Sequence, residues 1–344
     1  MRIGIIAPPW LTVPPARYGG TEMAVNTLAV ALAAAGHDIV LAAASDSSCA
    51  VTLLEGYPRS NFAALGKSAE ELRHVTHAYR DLADVDVIHD NTVIGPHLRR
   101  RPSGVPVVTT QHGPFTPTTT EICLAMPADV AIVAISRHHA STADGVPIAR
   151  VIHHGIDPGT VPVGSGSGGY ACFLGRMSPD KGVTDAIAVA RMAGVPLRIA
   201  AKMYETPELE YFESAVRPLL GSSVEFLGEL SRQEKFDLLG GAVATLNPLQ
   251  WNEPFGVVMI ESLAAGTPII ATSRGSVPEI IDDGVTGFIR DSIAGLAEAL
   301  GGADALDRAA CRASVEGRFS ARRMAEEYSA LFSERIAAQH AARP

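Results

Sequence analysis

A short apolar run, a turn and a helical stretch follow one another along almost the whole chain, and no other feature restricts the fold as much. RIGIIA (2–7) precedes TEMAVNTLAVALAAAG (21–36), and DIVLAAA (38–44) follows. Further runs are DVDVIH (84–89), PVVTTQ (106–111), DVAIVAIS (129–136) and ARVIHHGI (149–156). Runs of this length, rich in β-branched residues, suit strands buried on both faces of a parallel sheet. The first half therefore reads as a doubly wound α/β domain. DPGTVPVGSGSGG (157–169), rich in Gly, Ser and Pro, reads as a linker. Beyond it the alternation resumes with YACFLG (170–175), PLRIAA (196–201), VEFLG (224–228), AVATLNPL (242–249) and TPIIATS (267–273). Two domains are expected, over 1–157 and 168–318, with a helical tail at about 320–340. In such folds ligands sit at the carboxyl ends of the strands, so a shared site would lie in a cleft.

The 344 residues suffice for two cores, and a formal net charge of -9 disfavours non-specific binding to nucleic acid or anionic membranes. Arg99-Arg100-Arg101 runs against that charge and reads as a solvated loop ahead of Pro102. The four cysteines are scattered without a CxxC pair, which speaks against metal knuckles and disulfides and agrees with a reducing cytosol. MRIGIIAPPW is too short a run for a signal-peptide core, and no stretch approaches the ~18 apolar residues of a spanning helix. The expected location is the cytoplasm.

Glu253 stands at the mouth of an apolar segment and Glu261 stands inside it. Gly256 is expected to open a helix and Gly266 to close it. The unpaired N–H groups at such a helix start, with the dipole, make an anion site. Val257 and Val258 lie at this opening, and Glu261 lies one turn on along the same face. A carboxylate in apolar surroundings needs O–H or N–H partners, and a ribose diol just beyond a phosphate supplies them. The alternative is that both glutamates form ordinary salt bridges or caps. In GRMSPDKG (175–182), Arg176 ends a strand and Lys181 falls in the first turn of the next helix, opposing its dipole. A bound diphosphate would reverse that sign, with Arg176 gripping the same oxygens in fork geometry. A surface lysine beside Asp180 is the competing reading. Gly19-Gly20 lets backbone approach a ligand closely. The spacing is not GxGxxG, however, and no acidic residue follows the second strand in the dinucleotide pattern, since Asp46 comes late and among serines, which argues against a nicotinamide cofactor. His112 follows a strand directly and is suited to bonding sugar hydroxyls or shuttling protons. His74/His77, His138/His139 and His153/His154 lack a carboxylate to complete a metal site and read as structural.

Taken together, Gly19-Gly20, GRMSPDKG, VEFLGEL and EPFGVVMIE followed by AAGTPIIATSRGSVPEIIDDGVTGF resemble the family 4 retaining glycosyltransferases of the GT-B fold. The most specific element is Glu253 and Glu261 with seven residues between them, coupled to Arg176 and Lys181 upstream. HDN (89–91) and QHGPF (111–115) look like the actinobacterial and cyanobacterial members. The resemblance implies two Rossmann-like, doubly wound parallel sheets facing across a cleft, with the last helix crossing back to the first domain. It implies transfer of a hexose from a nucleoside-diphosphate sugar, UDP first and GDP next, to a hydroxyl of a sugar, lipid-linked sugar or natural product. By position, Glu261 would hold the ribose, while Arg176 and Lys181 neutralise the diphosphate. The backbone from Phe255 through Gly256, Val257 and Val258 would complete that cradle, with Phe226 and Leu227 by the base. Glu253 would contact donor-sugar hydroxyls, His112 the reacting sugar's edge, and Gly19 and Gly20 the phosphates and acceptor side. No metal and no cofactor is implied, because two cations and a helix start can stabilise a departing diphosphate. The mechanism implied is front-face attack with retention, Glu253 being a positioner rather than a nucleophile.

The chain departs from the family's pattern at His154-Gly155-Ile156-Asp157, where Asn-Gly is usual, and at Lys202, an additional cation. A hydrolysing sugar-nucleotide epimerase and a non-catalytic sugar-nucleotide-binding protein are the other readings, and peripheral membrane contact through Arg99–Arg101 stays open.

Overall fold

The computed structural model describes residues 1–17 and 19–341. Its chain divides into two units, Met1–Gly155 with Ala321–Pro344, and Ile156–Ser320. In the first, β1 (Arg2–Ile6), β2 (Asp38–Ala42), β3 (Thr52–Leu53), β4 (Val87–Asp90), β5 (Val107–Thr110), β6 (Ala131–Ala134) and β7 (Ile148–Val151) form a parallel sheet ordered β3-β2-β1-β4-β5-β6-β7. The second holds β8 (Ala171–Arg176), β9 (Leu197–Lys202), β10 (Val224–Gly228), β11 (Thr245–Asn247), β12 (Ile269–Ala271) and β13 (Gly287–Ile289), ordered β10-β9-β8-β11-β12-β13 and also parallel. Strand order reverses between β1 and β4 in one unit and between β8 and β11 in the other. Crevices open at the carboxyl ends of strands flanking such reversals.

The strands are apolar on both faces because helices cover both. Ile3 and Ile5 of β1 pack with Val25, Leu28 and Leu32 of the helix Gly20–Ala34. Ile6 and Ile88 pack on the opposite face with Val75, Ala78 and Leu82 beside the helix Ser68–Asp81. The last helix, Ala321–Ala341, returns to the first unit and adds Met324, Tyr328, Leu331 and Phe332 to its core. Each such side chain contributes roughly 1.5–3 kcal/mol on burial. Polar contacts fix its register: Tyr328 Oη shares a hydrogen bond with Thr110 Oγ1 at 2.7 Å, and Arg150 holds both Glu334 oxygens at 2.9 and 2.8 Å. All eleven histidines fall in this unit and none between Ile156 and Ser320.

Residues 157–169 are not a free linker. The segment runs along the second unit, where Gly164 N–H donates to Ala265 O (3.0 Å), Gly166 to Gly240 O (2.9 Å) and Gly168 to Gly241 O (2.9 Å). A Cβ on Gly164 would lie 2.1 Å from Gly240 O, so the glycines serve close backbone contact rather than flexibility. Two short strands escape the sequence reading, β3 and the edge strand β13 within GVTGFI. Arg101 also differs from its expected role. It is a bidentate partner of Asp129, at 2.8 Å to each oxygen, while Arg99 and Arg100 remain exposed. All four cysteines are free and buried.

Candidate active site

In the second unit, the residues singled out by the sequence lie at the end of β8 and in the turn after it, in β10, and in the loop and helix after β11. Arg176 ends β8 and pairs with Asp180 at 3.0 Å. Lys181 closes the turn Pro179–Lys181, and Gly182, at φ 73°, caps the helix Val183–Ala193. The lysine therefore precedes that helix rather than lying in its first turn. Its ammonium is ion-paired with Glu253 Oε2 and sits 4.7 Å from the Trp251 ring centre. Trp251 Nε1 donates to the same carboxylate oxygen at 3.2 Å. Both members of the pair are largely enclosed, with side-chain exposures of 14% and 12%. The expected mismatch with the dipole is thus met by a carboxylate from the loop after β11. The two loops are knitted by Gln250 N–H donating to Asp180 O at 2.9 Å.

Glu253 sits in a loop fastened from below. Its carbonyl accepts from Ser276 N–H (3.0 Å), and Ser276 Oγ donates to Phe255 O (2.7 Å), which explains why RGSVPE follows in the sequence. Phe255 is enclosed against Phe319, ring centres 6.1 Å apart, so its side chain is an anchor. Gly256, at φ 78°, opens the helix Val257–Ala264 without a side-chain cap, which leaves its first N–H groups to a ligand or solvent. Val257 and Val258 are half-buried there. Glu261 is 6% exposed and receives a hydrogen bond from Lys235 at 2.5 Å, a partner the sequence reading missed. No local spacing signals it, because the two residues lie on different helices. Phe226 packs on Phe212 at 4.6 Å between ring centres and supports the core of its unit, with Leu227 half-buried beside it. Lys202 is not an additional free cation. It is buried and donates to Glu208 at 3.1 Å.

In the first unit, Gly19 precedes the helix Gly20–Ala34. A Cβ there would lie 2.8 Å from Pro15 Cβ and 3.1 Å from a Glu22 carboxylate oxygen, whereas Gly20 is open. His112 follows β5 and bonds Asn91 Oδ1 through Nε2 at 2.9 Å. The Asn91 amide donates to Ile6 O (3.2 Å) and His89 O (3.4 Å). That orientation turns Oδ1 towards His112, so Nε2 carries the proton and Nδ1 keeps its lone pair. Nδ1 is enclosed without a hydrogen-bond partner. Burial, with a smaller effect of His139, lowers the His112 pKa to about 4. His154 stacks on His112 at 5.3 Å with an interplanar angle of 11°, where the sequence suggested only a departure from pattern. Among the described residues no three His, Cys, Asp or Glu side chains form a metal cluster.

Two Rossmann-like parallel-sheet units with these strand orders define the GT-B architecture. HepE of Anabaena, solved with UDP-glucose, has it: TM-score 0.72, 18% identity, 97% of this chain and 100% of that one. AviGT4, a solved glycosyltransferase, aligns at a TM-score of 0.78 with 24% identity over 98% of each chain. A model described as glycosyl transferases group 1 matches residues 165–300, and a model of glycosyltransferase family 4 matches residues 18–160. The chain belongs to the family 4 glycosyltransferases. A phosphatidyl-myo-inositol mannosyltransferase of Propionibacterium freudenreichii is 27% identical over 330 residues, 83% of this chain and 81% of that protein. A glycogen synthase of Mycobacterium tuberculosis is 33% identical over 168 residues, 45% of this chain and only 40% of its own length.

Proposed function

We propose that this protein is a retaining glycosyltransferase that moves a hexose from a nucleoside-diphosphate sugar to a hydroxyl acceptor without a divalent metal. The observation that carries this reading is a convergence at one end of the β8–β11 sheet. Arg176, Lys181 and an uncapped helix start offer positive charge at the place where Glu253 and Glu261 offer hydrogen-bond acceptors. Pairing with Glu253 keeps Lys181 from standing as a bare buried charge, and a diphosphate oxygen is the chemical equivalent of that carboxylate. UDP is the favoured nucleotide, supported by the ligand of HepE, with GDP next.

In the proposed step the acceptor oxygen attacks the anomeric carbon from the face that the diphosphate leaves. The anomeric C–O bond to phosphate breaks as the new one forms, and a phosphate oxygen takes the hydroxyl proton. Negative charge grows on the diphosphate, where Arg176, Lys181 and the helix N–H groups stabilise the transition state more than the ground state. Glu253 orients sugar hydroxyls, and neutral His112 is assigned to a hydroxyl of the reacting sugar. Among the described residues no helix is long and apolar enough to cross a membrane.

The test is release of nucleoside diphosphate from UDP-glucose and GDP-mannose with a panel of hydroxyl acceptors, in the presence of EDTA. Acceptor-dependent release with the anomeric configuration kept is the expected result. A changed sugar identity without acceptor points to an epimerase, binding without turnover to a non-catalytic protein, and loss of activity with EDTA overturns the metal-free step.

A further inference from the structure

We infer that Lys235 is a positioning residue for the donor nucleotide: it holds the Glu261 carboxylate in the plane that receives a ribose 2′,3′-diol. The inference rests on the nucleotide-sugar reading above and adds a residue from a different helix. Lys235 Nζ donates to Glu261 Oε1 at 2.5 Å, and the two side chains are 20% and 8% exposed. Among the described residues Lys235 is the hydrogen-bond donor to that carboxylate. The last torsion of a glutamate is broad and nearly two-fold, so a carboxylate held by nothing presents its lone pairs in a range of planes. Anchoring one oxygen removes that freedom. Oε1 retains a second lone pair and Oε2 retains two, enough for both hydroxyls of a diol.

The lysine is itself anchored. Ser231 and Glu234 form a reciprocal cap at the start of the helix Arg232–Gly241, with Ser231 N–H donating to Glu234 Oε2 at 2.8 Å. Lys235 N–H then bonds Ser231 O at 2.9 Å, and its ammonium lies 5.1 Å from the ring centre of buried Phe236. A purely structural ion pair is the competing explanation. Its placement favours the nucleotide role, because Glu261 lies one turn along the helix whose uncapped start is assigned to the diphosphate. Along a nucleotide the ribose is the next group beyond the phosphates.

Isothermal titration of the full chain with UDP and GDP, each beside its 2′,3′-dideoxy analogue, tests this directly. Lys235→Met is expected to weaken binding of the ribonucleotide about tenfold and to leave the dideoxy analogue unchanged, with Lys235→Arg restoring most of the loss. Where the methionine variant does not fold, Lys235→Gln is read in its place. Unchanged ribonucleotide binding, or equal losses for both analogues, overturns the positioning role. Glu261→Gln separates the two levels: if it too leaves ribonucleotide binding intact, the nucleotide-site reading itself falls, whereas a loss confined to Glu261→Gln removes only Lys235.

Discussion

Arg176 and Lys181 differ in what surrounds them, and the difference predicts how each responds to substitution. Lys181 is enclosed with Glu253, so removing it also strands a carboxylate. Arg176 is a third exposed beside Asp180 and gives the cleaner experiment. Arg176→Ala is expected to lower kcat about 10²–10³-fold, the usual loss for one donor to developing charge, with a smaller change in donor KM. Steady-state kinetics in which KM alone moves would contradict a transition-state role. His112 makes a second case, through the proton it lacks. Its ring faces His89, His139 and His154 together with Asn91, with no carboxylate among these neighbours. Asn91→Asp would put an anion on Nε2 and favour the imidazolium, raising the pKa from about 4. The kcat/KM profile of the variant is then expected to fall below about pH 6.5, where wild type still holds its activity. Identical profiles would remove His112 from the reaction. These roles were only half legible in the chain. Glu253, Glu261, Arg176 and Lys181 stand out because charge in apolar or dipole-opposed surroundings demands an explanation. Asn91 and Lys235 do not, since each is ordinary in its own segment and acquires meaning from a partner on another element.

At the scale of elements, the helix Ala321–Ala341 completes the core of the first unit although it comes last in the chain. Phe332 is fully enclosed with Tyr328, their ring centres 5.7 Å apart. Phe332→Ala is expected to cost about 3–5 kcal/mol, read as a lowered midpoint of the first unit's denaturant transition with that of the second unit unchanged. A loss under ~1 kcal/mol would mean that the helix docks without its aromatic pair. The strands at the centre of both sheets were readable as apolar runs, as was the helix opened by Gly256. β3 and β13 were not, because strands of two or three residues at a sheet edge carry too few side chains for a pattern. The stretch 157–169 misled for a physical reason. Glycine next to glycine is the signature of a flexible tether and equally of two backbones in direct contact.

The whole molecule divides its titrating groups unevenly. Burial lowers the pKa of His74, His112 and His139 to about 4 and that of His89 to about 3. A histidine held neutral in the folded state contributes stability above its unfolded pKa of about 6.5 and loses it as pH falls towards the folded value. Asp90, raised to about 6 by burial, acts in the opposite sense, and Glu22 is also raised by burial, but the histidines outnumber them. In the second unit Glu208 is lowered and Asp185 raised, which oppose each other. Calorimetry is therefore expected to show transitions drawing apart between pH 7.5 and 5, the first unit moving down. Parallel shifts would count against this assignment. The two-unit α/β organisation was open to sequence reasoning because it rests on repeated periodicity, while the burial that lowers these histidines emerges only once the unit is folded.

Acid then behaves as a regional reagent. The half that houses His112 loosens while the half assigned to the nucleotide keeps its shape. As the pH approaches the values near 4 at which these histidines charge, turnover should be extinguished first, and a protein that no longer transfers sugar should still capture its donor.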